Sequence, residues 1–96
     1  MYEDKNVLAL VKARLNRLPD DTALDEYLGA RIEAAAGELE GKGIHLTDST
    51  EDAVLLTDYA VFQYSARDQA GGMPDWLRLR IRERWLRERD GVSDDP

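Results

Sequence analysis

The sequence contains no cysteine, and that absence removes disulfides, thiolate nucleophiles and every zinc site built on sulfur. Its core and its self-association must supply the stability. A single histidine, His45, leaves the chain short of the imidazoles that metal centres and general bases draw on. No stretch approaches the roughly 18 consecutive apolar residues of a membrane span. The opening Met1-Tyr2-Glu3-Asp4 is acidic where a secretory signal is basic, so the expectation is a soluble protein that stays inside the cell that makes it, without a membrane partner.

What is present suffices for one packed unit. Leu, Ile, Val and Phe number 22 of the 96 residues, above the roughly 20% below which a highly charged chain is usually disordered. A chain of this length fills one small domain and excludes two cores. Its boundaries are expected at 1–89, with 90–96 a polar, acidic C-terminal tail. The net charge of −7 conceals an asymmetry: six arginines between Trp76 and Arg89 stand against Glu83 and Glu88, a balance of +4 that leaves −11 on the remainder. An acidic body carries one basic arm. Overall acidity argues against a protein whose whole surface grips DNA, because non-specific affinity comes from Lys and Arg neutralising phosphates.

The spacing predicts four helices and an all-α bundle. Leu8, Val11, Leu15 and Leu18 form one stripe on a helix from about Lys5 to Leu18, with Lys12, Arg14 and Arg17 on its other faces, and Pro19-Asp20-Asp21 ends it. Thr22, three before Asp25, reads as a cap for a second helix carrying Leu24, Leu28, Ile32, Ala35 and Leu39, closed near Glu40 by Gly41 and Gly43. Ser49-Thr50-Glu51-Asp52 reads as a cap for a third helix. There Leu55, Leu56, Tyr59, Val61 and Phe62 point in nearly all directions, which predicts a buried, apolar central helix ending at Gly71-Gly72. Pro74 and Asp75 suit the first turn of a fourth.

Leu77-Arg78-Leu79-Arg80-Ile81-Arg82 alternates with the period of a strand, yet Leu, Arg and Glu favour helix and no strand partner is available. On that helix Leu77, Ile81 and Trp85 fall within about 80° of one another, and Leu79 and Leu86 lie opposite. Two apolar lanes require two surfaces to cover them. One packs on the domain; the other, with Trp76 at its edge, asks for a partner.

Catalytic chemistry is not visible. His45, Asp48, Glu51 and Asp52 offer one imidazole on a single loop, a weak ligand set, and no metal or cofactor is expected. Gly71-Gly72 lacks the lysine and Ser/Thr of a phosphate loop, and Asp20-Asp21 and Asp94-Asp95 are carboxylates in turn or tail composition. The arginine helix remains. Its residues Arg78, Arg80, Arg82, Arg84, Arg87 and Arg89 either form a solvated face with pairs such as Arg84–Glu88, or meet acidic surface on another copy or protein, or contact DNA. With Trp76, Leu79 and Leu86 they make the candidate interface, since Trp and Arg are enriched in interface hot spots.

Several segments together resemble a known family. They are Val11-Lys12-x-x-Leu15, the turn Pro19-Asp20-Asp21, Leu24-Asp25-Glu26-Tyr27-Leu28 leading to Ile32-Glu33-Ala34-Ala35, the core Tyr59-Ala60-Val61-Phe62, and Met73-Pro74-Asp75-Trp76-Leu77-Arg78-Leu79-Arg80. From about Val7 to Trp85 this order is similar to the small head-tail connector, or head-completion adaptor, proteins of tailed bacteriophages. The resemblance implies a virion protein without enzymatic activity that assembles as a ring, commonly of twelve copies, beneath the portal of the filled head. Such a ring prolongs the DNA channel and presents a surface to the next connector or the tail. It also implies that the segment from Trp76 to Arg89 and the tail after it engage the portal. A tail-completion protein, or a small cellular regulator that binds DNA through its arginine helix, would share much of this pattern.

Overall fold

A computed structural model of the chain describes residues 4–18, 20–66 and 72–93. Four α-helices follow in order, α1 Asp4–Arg14, α2 Asp25–Gly41, α3 Thr50–Ala66 and α4 Asp75–Ser93, with no strand among the described residues. The alternating Leu-Arg segment is helical, as its composition requires. Pro19, Gly71 and the terminal Asp94-Asp95-Pro96 lie outside the described residues. α4 continues past Arg89 to Ser93, into the segment expected as a tail.

Two helices end by the same backbone device. Asn16 takes a left-handed conformation (φ 61°), and the amides of Asn16 and Arg17 donate to the Ala13 and Lys12 carbonyls at 3.1 and 2.8 Å. This Schellman closure stops α1 ahead of Pro19 and leaves Leu18, expected in the core stripe, 68% exposed. In α2 the left-handed residue is Gly43 (φ 97°), not Gly41, which is the last helical residue. Gly43 and Ile44 donate to Glu40 and Leu39, and Ile44 folds back on Leu39 with both side chains fully buried. Thr22 does not cap α2, which begins after Leu24 without a side-chain cap; the local turn is held instead by Asp21, whose carboxylate accepts the Ala23 amide.

Ser49 caps α3, its hydroxyl accepting the Asp52 amide at 3.1 Å. α3 touches α1, α2 and α4, and its Leu55, Leu56, Tyr59 and Ala60 are buried with Leu28, Ile32, Leu39, Val7 and Val11. The helix is not apolar all round, however. Asp52, Thr57 and Asp58 are buried within it, and Phe62 sits half-buried at the rim of the core. Lys12 likewise departs from its expected outer face: its stem is buried and its ammonium meets Asp25 of α2 at 3.0 Å. Among the described residues the backbone of α4 approaches α3 alone among the helices, and the molecule measures 48 × 30 × 18 Å.

Candidate functional site

The two lanes of α4 lie as the helical wheel places them. Leu77 and Ile81 are buried against the domain, and Trp85 packs at the core edge. The Trp85 indole nitrogen stands 3.3 Å from the position a Cβ would take on Gly43, so the glycine that closes α2 also makes room for α4. On the far side Trp76, Leu79 and Leu86 are 50%, 57% and 36% exposed. Of these, the Trp76 ring is partly overlain by Arg80 of the same helix.

The arginines divide into two groups, and this division was not readable from the sequence. Arg84 turns inward: its guanidinium holds both oxygens of Asp52, at 2.8 and 3.2 Å, and bonds Glu88 at 3.0 Å and the His45 carbonyl at 2.8 Å. Arg80 meets Asp58 at 2.7 Å, where Arg14 of α1 also donates, and passes over the Trp76 ring. Arg87 forms a two-pronged pair with Glu51 at 2.8 and 2.6 Å. Arg78 pairs with Asp75 one turn earlier on its own helix. Arg89 lies over the Trp85 ring, and Arg82 is exposed with no hydrogen bond or ion pair among the described residues. The Arg84–Glu88 pair expected on the helix is present, but the stronger partners lie on α3. Their one trace in the sequence is a shared interval: Glu51 and Asp58 are seven apart, as are Arg80 and Arg87.

These pairs set the electrostatics of the seam. Burial pushes the Asp52 carboxyl up, but the Arg84 guanidinium and the Thr47 amide and hydroxyl, each at 2.8 Å, overcome it and hold the group below its ordinary range. The Asp52 hydrogen bond raises Arg84 further still. Glu88 is lowered by the His45 amide and then by Arg84. A carboxyl whose folded pKa is depressed stabilises the fold above its unfolded pKa and loses that contribution as pH falls through the folded value. The melting temperature is therefore expected to drop as pH falls below about 4, and Asp52→Asn should flatten part of that drop. A melting temperature level down to pH 3 would contradict this.

Two of the four candidate ligands from His45 to Asp52 are already engaged by other side chains. Asp52 is committed to Arg84 and Thr47, and Glu51 to Arg87. Among the described residues no three His, Asp or Glu side chains are grouped to hold a metal, and no helix is long and apolar enough to cross a membrane. An open depression of about 430 Å³ between α3 and α4 is lined by Thr50, Val54 and Glu83 and roofed by the paired Arg80, Glu51 and Arg87. Its chemistry is that of the seam itself.

No family model, curated protein or solved structure matches the chain. The outward face of α4 is the most distinctive surface among the described residues. That face combines an exposed tryptophan, two leucines and an arginine without an ion pair among the described residues, on a helix fastened to the domain by the buried Arg84–Asp52 pair.

Proposed function

We propose that the chain is a structural protein of a tailed bacteriophage or prophage virion, a head-tail connector whose copies form a ring between the portal of the DNA-filled head and the tail. It acts without enzymatic activity or cofactor. The observation that carries the reading is the two-sided α4, buried along Leu77 and Ile81 and bare along Trp76, Leu79 and Leu86. The similarity of Met73-Pro74-x-x-Leu77-Arg78-x-Arg80 to the entry of the last helix in that family supplies the class.

In this proposal Arg80, Arg84 and Arg87 fasten the arm to the body, and Trp76, Leu79, Arg82 and Leu86 meet the neighbouring copy or the portal. Apolar burial supplies most of the contact energy, at about 25 cal/mol per Å², and charge selects partner and orientation. Limited area per copy makes the protein monomeric when dilute and assembled when concentrated or on its template. The acidic body lets DNA pass along the channel without sequence-specific binding. DNA regulation through the same helix finds less support, because three of its arginines already hold carboxylates on α3.

The test compares the native chain with Trp76→Ala/Leu79→Ala and with Arg82→Glu. All three should give the same helical circular dichroism, since the changed side chains are exposed. Both variants should lose binding to portal-bearing heads and sediment as monomers where the native chain assembles. Native-strength binding by both would refute the proposal, as would tight, steeply salt-dependent binding of the native chain to duplex DNA at about 0.15 M salt.

A further inference from the structure

The outward face of α4 has edges and a period as well as an apolar ridge. With side chains about 100° apart and about 1.5 Å along the axis, Leu79 and Leu86 recur after seven residues, about 10.5 Å, directly opposite the buried lane. Arg82 borders the ridge on one side and Glu83 on the other. Both are exposed, and neither makes a hydrogen bond or ion pair among the described residues.

The outward face of α2 repeats the interval in the opposite relief. Ala30, Ala34, Gly37 and Gly41 are exposed, and a Cβ on Gly37 or Gly41 would meet nothing within 4 Å, so a neighbour can approach the backbone closely. Glu26, Glu33 and Glu40, each seven from the next, border one side and are exposed. Arg31 borders the other, with its buried Nε lacking a hydrogen-bond partner.

We infer that the outward face of α4 docks antiparallel on the outward face of α2 in a second copy. The inference rests on the proposed self-assembly and names its mating surface. Charge fixes the direction. Seen from outside, Arg82 lies on the same side of its ridge as the glutamates lie of their track, so only the antiparallel arrangement brings these borders together. That arrangement also sets Glu83 against Arg31. With Leu79 over Gly37, Leu86 falls over Ala30, Arg82 faces Glu33, and Trp76 comes to rest near Gly41. Within the chain the α3–α4 seam already works this way, since Arg80–Asp58 and Arg87–Glu51 are antiparallel pairs seven residues apart on each helix. Because the two faces differ, the contact is heterologous and each copy keeps one of each for its neighbours, which is the connectivity a ring requires.

The lack of cysteine makes the test direct. Two single variants, Leu79→Cys and Gly37→Cys, are mixed at about millimolar concentration and oxidised; the open space around Gly37 lets the second fold. The disulfide between positions 79 and 37 should exceed the two like-with-like dimers by about tenfold. A statistical mixture, or no disulfide at all, would overturn the inference. In a parallel series Arg82→Glu and Glu33→Arg should each weaken assembly by about tenfold, and the two changes in one chain should restore it; failure to restore would count against the pairing. If the 79–37 bond is missing while Leu79→Ala still abolishes binding to portal-bearing heads, the α2 assignment falls and the connector reading stands. If the bond forms but the native chain never binds those heads, the reverse holds.

Discussion

Asp52→Ala is expected to destabilise the protein by about 3–5 kcal/mol, the range found when one partner of a buried ion pair is removed. The Asp52 side chain is 2% exposed and that of its partner Arg84 11%, so the guanidinium would be left largely desolvated with only Glu88 and the His45 carbonyl to hold it. The Thr47 amide and hydroxyl would lose their acceptor in the same change. A domain of this size has a total stability of about 5–15 kcal/mol, so the loss would bring it near unfolding at room temperature. Urea denaturation followed by circular dichroism measures it. Asp52→Ala/Arg84→Met should recover a substantial part, because the orphaned charge is gone. A loss below about 1 kcal/mol in the single variant would show that water reaches the pair and that α4 is held by its apolar lane alone.

The second large effect is expected for Leu56→Ala, at about 2–5 kcal/mol. Leu56 is fully buried on the one helix that touches the other three, so the cavity would open where α3 meets its neighbours. By sequence alone Phe62 and Leu56 are equal candidates for the centre of stability. The structure separates them, since Phe62 is half-buried against Tyr59 at the rim. Phe62→Ala should therefore lose less than half as much, despite the larger side chain. Equal losses in the two variants would mean that the rim is as tightly packed as the centre.

The order of the helices and the faces of α4 were legible because they depend on periodicity, and an apolar interval survives whatever packs against it. Leu77 and Ile81 inside, Leu79 and Leu86 outside, follow from the wheel alone. Helix ends were less legible. Asn16 terminates α1 by backbone conformation, and an asparagine that adopts positive φ looks like any other polar residue until its amide is seen to bond backwards. Within the candidate interface, the exposure of Trp76, Leu79 and Leu86 was legible, whereas the pairing of Arg80, Arg84 and Arg87 with carboxylates of α3 was not. A row of arginines suggests an outward face, yet guanidinium stems are long enough to fold back over a neighbouring helix, and Arg84 does so to reach Asp52. That Asp52 is buried could not be told from its place beside Glu51 in an acidic cap. The common seven-residue interval of Glu51 and Asp58 on α3 and Arg80 and Arg87 on α4 bore on the other two pairs and not on this one.

In mechanical terms α4 is a beam bolted to its support at two buried carboxylates. Arg84 fixes it to Asp52 and Arg80 to Asp58, carboxylates six residues and about 9 Å apart along α3. One attachment would act as a pivot; two separated along the axis resist rotation. Because Asp58 also grips Arg14, a load applied to the outer face of α4 passes through α3 into α1. A pull on the arm therefore displaces those three helices as one body, and the angle at which the chain presents its outer face is set by its core.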